Sequence, residues 1–176
     1  MKLNLIGGLI VGLFSNLVFY SLYFGGILRD ETSGRILILS SAVHALVLIL
    51  VLARHRSAYL PAAIPFAKLF GAGLFLSFVA GAIAALGSYI FTTQVDPTYL
   101  PWVVEMTSQE LQKQNMPEAE LNKILAGLPN RVTPASYAFQ GLLSICFAGL
   151  LLSLVSSALL RMRGLVQQAK GLPPAA

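Results

Sequence analysis

Four stretches of this chain are long and almost unbrokenly apolar, at about residues 3–28, 36–52, 66–91 and 135–160. Roughly 20 apolar residues at 1.5 Å rise each cover the ~30 Å hydrocarbon core of a bilayer. Hydrocarbon supplies no hydrogen-bond partners, so a spanning segment must satisfy its own backbone, and four segments cannot close a barrel. Each stretch is therefore expected to be a helix. Only 11% of the 176 residues are charged and 56% are hydrophobic, against about 25% charged in an ordinary soluble domain. A chain this short has no interior large enough to hide that much apolar side chain from water. The expected fold is an all-α polytopic membrane protein with four transmembrane helices. Residues 1–164 are expected as a single domain and 165–176 as a short cytoplasmic tail. The first apolar run exceeds a signal-peptide core and no small-residue cleavage site follows it, so it reads as a retained anchor.

Charge sets the expected orientation. With both termini inside, Lys2, Arg54, Arg56, Lys68, Arg161, Arg163 and Lys170 face the cytoplasm and no acid does. The opposite side then carries Arg29, Arg35, Lys113, Lys123 and Arg131 with all seven acids. Lys and Arg close to the spans favour the cytoplasmic side. The net charge of +5 does not point to nucleic acid, because no run of cations interleaved with aromatics accompanies it.

Between the third and fourth stretches lies "VDPTYLPWVVEMTSQELQKQNMPEAELNKILAGLPNRVTP", 95–134, which holds five of the seven acids. Orientation makes it an outer, periplasmic insert. Leu100, Val103, Val104, Thr107 and Leu111 share one face of a helix over 100–114, opposite Glu105, Gln109, Gln112 and Lys113. In a second helix Pro117 takes the first turn, Glu118 and Glu120 suit the positive N-terminal end, and Leu121, Ile124, Leu125 and Leu128 share a face. Gly127 and Pro129 are expected to end it, and Asn115 to lie near the joint between the two. Such faces either cap the bundle, dock a partner or lie in lipid.

Within the spans, small residues recur at every fourth position: Gly73, Ser77, Gly81 and Ala85 in the third, Gly149, Ser153 and Ser157 in the fourth, and Gly8 and Gly12 in "GLIVG" of the first. Small residues let helix backbones approach closely where hydrophobicity cannot drive association. His44, mid-span in "LSSAVHALVLILV", is an intramembrane ionisable residue and hence a candidate site. Asn16 lies at similar depth and is placed to hydrogen-bond to it. A structural, hydrogen-bonded histidine and a proton or ligand role both remain open for His44. His55 falls beyond the membrane edge. Tyr89, Tyr99, Trp102 and Tyr137 suit an outer interfacial belt, with Tyr59 on the inner side. Cys146 is the one cysteine, so no internal disulfide forms, and its apolar setting suits a small buried residue rather than a nucleophile. No phosphate loop, metal-ligand spacing or nucleophile–base pair is present in the sequence. No cofactor is expected, and the chain is not expected to be an enzyme.

Three segments in order carry a family resemblance: "IPFAKLFGAGLFLSF", "VDPTYLPWVVEMTSQELQKQNMPEAELNKI" and "FAGLLLSLVSSALLRMR". They resemble the third-helix start, the external region and the closing helix of uncharacterised small membrane proteins of Bacteroidota, the domain of unknown function 4199. The chain departs from that pattern at Gln140, where the family often carries a carboxylate near the start of the last span. The resemblance implies a bacterial inner membrane and a bundle with a periplasmic cap, and it supplies no activity and no catalytic residues. The leading expectation is a non-enzymatic accessory or scaffold subunit of an envelope assembly, docking a membrane or periplasmic protein through Leu100, Val103, Val104, Leu111, Leu121, Ile124, Leu125 and Leu128. The alternative is a small transporter or lipid-binding protein with a groove near His44 and Asn16. Membrane lipids are expected partners, nucleic acid is not, and a homo-oligomer stays open.

Overall fold

The computed structural model describes residues 2–30, 32–57, 65–114 and 116–169, with all side chains inside the helices except those of 32–35, 37, 39 and 163–169. Among these residues the protein is all helical, without a strand. Six α-helices follow in order: α1 Lys2–Phe24, α2 Thr32–Ser57, α3 Phe66–Ile90, α4 Tyr99–Gln112, α5 Glu118–Arg131 and α6 Pro134–Ala169. A π-helical turn, Phe91–Val95, continues α3. Asn115, Tyr59 and the tail beyond 169 lie outside the described residues.

Three helices are long and apolar enough to cross a membrane, over Lys2–Phe24, Phe66–Val95 and Pro134–Met162. Their outward faces carry large apolar side chains, such as Leu13 (61% exposed), Leu17 (64%) and Phe147 (65%). That exposure is hostile to water and suited to lipid. The remaining expected stretch, 36–52, falls inside α2, part of whose side chains lie outside the described set.

Helix ends correct several expected boundaries. The first span was expected to reach Leu28, yet α1 stops at Phe24. Gly26 adopts φ +73°, Ile27 N donates to Leu22 O at 2.9 Å and Gly26 N to Tyr23 O at 2.9 Å. This paired closure needs a left-handed residue that glycine supplies without a Cβ penalty. The second insert helix was expected to end at Gly127 and Pro129, but α5 runs on to Arg131 with Pro129 inside it. Proline forfeits the bond to the carbonyl four residues back, and so near the helix end Val132 N still closes on Leu128 O at 3.0 Å. Pro117 sits one residue before α5. At the start of α6, Thr133 Oγ1 accepts from Ser136 N at 3.2 Å while Ser136 Oγ accepts from Thr133 N at 2.8 Å. Pro134 follows at the first helical position, where a missing N–H costs nothing.

The chain forms two compact units, Met1–Ala84 with Leu142–Ala176, and Ala85–Gly141. In the first, Val11 of α1, Val51 of α2, and Leu76 and Ala80 of α3 make one buried cluster, with Val47 and Ile145 against it. Leu48, Leu52 and Leu69 make a second, flanked by Ala72, Leu152 and Leu160. Backbones approach closely here. A Cβ at Gly8 would lie 2.6 Å from Val79 Cβ and 2.7 Å from Leu76 O, and one at Gly12 would lie 2.7 Å from Ile83 Cβ and 2.8 Å from Ala80 O.

The second unit is built around Tyr99. Phe91, Trp102 and Tyr137 pack against its ring at centroid distances of 5.4, 5.5 and 5.8 Å. Asp96 Oδ1 accepts from Thr98 N at 3.1 Å and Thr98 Oγ1 at 2.6 Å, bracing the turn into α4. Tyr99 is buried, so it belongs to this core and not to an exposed belt.

Candidate functional site

The polar groups inside the first unit converge on α3. His44 of α2 is 4% exposed, and its Nε2 lies 3.0 Å from Ser77 Oγ. Ser77 Oγ also donates to Gly73 O at 3.0 Å. A hydroxyl carries one proton, and the Gly73 carbonyl can only accept. With that proton given to Gly73 O, Ser77 accepts from His44 in the tautomer protonated at Nε2, the assignment in which both contacts are hydrogen bonds.

α6 closes this pair from the other side. A Cβ on Gly149 would overlap the Ser77 side chain and come within 3.4 Å of His44 Cε1. One turn along, a Cβ on Gly73 would overlap Ser153. Each serine thus occupies the space its opposite glycine leaves. Farther along α3, Gly81 faces the Leu142 backbone, with Leu142 O 3.2 Å from its Cβ position and Cys146 Sγ 3.6 Å. Ala85 falls in the second unit. The hydroxyls of Ser153 and Ser157 are buried with no hydrogen-bond partner among the described residues.

Asn16 does not join His44. Its Nδ2 donates to Ile83 O at 2.9 Å, tying α1 to α3. The expected pairing fails because His44 meets α3 at Ser77 and Asn16 meets it at Ile83, six residues farther along the helix.

Sequence reasoning missed a second histidine contact. His55 Nε2 bonds Asn4 Oδ1, joining the last turn of α2 to the first of α1. Asn4 is buried, and burial pushes the His55 imidazole below its ordinary range. A polar residue at the start of one span and another at the end of the next was the available signal.

In the second unit α4 and α5 pack on each other. Leu100 is buried, Val103, Val104, Thr107 and Leu111 are half-buried, and Met106 is exposed. Leu121, Ile124, Leu125 and Leu128 are all half-buried, and α5 has no buried residue at all. The described residues contain no group of three His, Cys, Asp or Glu able to hold a metal ion.

Apolar helices of spanning length, exposed apolar flanks and an interior of glycine–serine contacts define a helical membrane protein. The family model "Protein of unknown function (DUF4199)" matches residues 7–162, nearly the whole chain. The chain belongs to that family. No curated protein and no solved structure matches it.

Proposed function

We propose that the protein is a four-span inner-membrane subunit with both termini cytoplasmic, acting without catalysis as an accessory scaffold that docks an envelope partner through its periplasmic 95–134 insert. The cytoplasmic assignment draws on Lys2, Arg54, Arg56, Lys68, Arg161, Arg163 and Lys170, which share one side with no acid. The carrying observation is α5, which holds an aligned apolar face, Leu121, Ile124, Leu125 and Leu128, yet buries none of its residues fully. An apolar helix face left half-covered is the form in which helices present themselves to a groove. The tight His44–Ser77–Gly149 contact also favours a packed bundle over a transport route.

Purification in mild detergent from the native membrane, with mass spectrometry of what remains bound, tests this reading. The expected result is a stoichiometric protein partner that is lost when Leu125 and Leu128 become Ser. A chain that purifies alone with a defined small molecule, and is indifferent to those substitutions, would sink it.

A further inference from the structure

One side of α5 is complementary to its own reverse. Glu120, Ile124, Gly127 and Arg131 follow at intervals of four, three and four. At about 100° per residue they fall within about 60° of one another around the helix. An open groove of about 520 Å³ lies along this side, lined by Ala119, Glu120, Lys123, Ile124 and Arg131, so the apolar face is uncovered at its Ile124 edge. Gly127 is outside that lining, and the surface above it is also open. A Cβ there would touch only the Arg131 side chain, with Nε 3.8 Å away. Glu120 and Arg131 are exposed, and neither is ion-paired to a described residue.

A second α5 running the opposite way, centred between Leu125 and Ala126, meets this side in register. Glu120 then lies opposite the partner's Arg131, and Ile124 lies opposite the partner's Gly127; symmetry repeats both pairings. Glycine lets two helix backbones approach closely, and Ile124 supplies the side chain that fills the space. Carboxylate meets guanidinium at both ends, and the opposed helix dipoles favour the same arrangement. Parallel pairing would instead set Glu120 against the partner's Glu120 and Arg131 against the partner's Arg131, so like charges oppose it. The hairpin also has need of another layer. Against α4 alone, α5 buries none of its residues fully, whereas two helical hairpins together enclose a four-helix core.

We propose that the partner docked on α5 is a second copy of this chain, the two helices packing antiparallel about a two-fold axis between their midpoints. This rests on the reading of the α5 face as a protein-docking surface and names its occupant. Two copies in one bilayer share a two-fold along its normal, so the paired α5 helices lie across that normal. Each copy contributes one 14-residue helix, short for a permanent interface. The dimer therefore forms reversibly and depends on protein density in the membrane.

The test uses full-length protein in liposomes, in a Cys146→Ala background that removes the one cysteine. Copies carrying Glu120→Cys are mixed with separately tagged copies carrying Arg131→Cys, and the mixture is oxidised. The two different variants are expected to cross-link, and neither with itself. In the antiparallel pair, like positions are offset by about 16 Å along the helix, and a disulfide joins Cα atoms no more than about 7 Å apart. The dimerisation constant is then read by energy transfer between differently labelled copies at fixed protein-to-lipid ratio. It should fall about fivefold in Glu120→Arg and in Arg131→Glu, as expected for losing two exposed ion pairs, and return in the double variant, which exchanges the charges. Gly127→Leu, which leaves every charge in place, should abolish the dimer by filling the open surface. Cross-links between copies of the same variant, or a dimer indifferent to the single charge reversals, would overturn the proposal. A monomer that retains a different protein through Leu125 and Leu128 would overturn it while leaving the docking role in place. A monomer with no protein partner would remove both.

Discussion

A methyl group added at Gly149 would overlap Ser77, whereas one added at Gly71 or Gly141 would meet nothing within 4 Å. Gly149→Ala is therefore expected to destabilise the bundle by about 1–3 kcal/mol, the usual range for overpacking. Gly71→Ala should be neutral or slightly stabilising, because helical alanine loses less backbone entropy than glycine. Reversible unfolding in mixed micelles would separate the two, and equal stability of both variants would refute the close contact. His44→Leu removes one hydrogen bond while Ser77 keeps its bond to Gly73 O. Polar contacts between membrane helices are modest, about 0.6 kcal/mol on average. That substitution should cost less than Gly149→Ala and leave any associated activity intact. Loss of function in a normally folded His44→Leu protein would give the histidine a chemical role instead. The sequence shows the small residues of α3 and α6 as separate stripes; which serine faces which glycine depends on how the helices cross, and periodicity within one helix carries no such information.

Among the elements, the contact most open to solution conditions is the one between the first turn of α1 and the last turn of α2. His55 is held below its ordinary pKa of about 6.5 by burial. An undocked end would bind protons more readily than the docked one, so docking is full above about pH 6.5 and weakens as pH falls through that value. Protection factors of the second turn of α1, with the intrinsic pH dependence of amide exchange divided out, should fall between about pH 7.5 and 5.5 in the wild type and stay level in His55→Gln. An unchanged pH profile in the variant would show that another group is responsible. At α5, Pro129→Ala restores a backbone donor to Leu125 O, and near the helix end this should stabilise α5 by about 1 kcal/mol. A rise in insert helicity by circular dichroism would register it, and a fall would mean that Pro129 fixes the exit of α5. Element ends were the least legible part of the sequence. "FGG" contains the glycine that closes α1, but the apolar pattern runs on past it to Leu28 and masks it. The apolar faces of α4 and α5 were readable from 3.6-residue spacing alone, whereas the continuation of α5 to Arg131 was not, because Gly127 looks like a terminator beside Pro129.

For the whole molecule, the proposed orientation is testable because Cys146 is the chain's one cysteine. In a Cys146→Ala background, Gln112→Cys should react with a membrane-impermeant maleimide on intact spheroplasts, and Ser57→Cys only after lysis. The reverse pattern would invert the topology. Composition announced a membrane protein before any single residue was considered, since 11% charge leaves few other solutions. It said nothing of the two compact units, because the apolar runs of α3 and α6 continue unbroken across the division at Ala84 and Leu142. Membranes differ by several ångströms in thickness, and α3 with α6 must accommodate whichever one surrounds them. Spans of 30 and 29 residues reach about 45 Å as straight helices, well beyond a ~30 Å hydrocarbon core. A one-turn slide of α6 would set Ser153 where Gly149 now faces Ser77, a place that does not admit even a methyl. The serine–glycine contacts thus work as a ratchet locked in one notch: where the bilayer thins, the two helices must lean together, because neither can slip past the other.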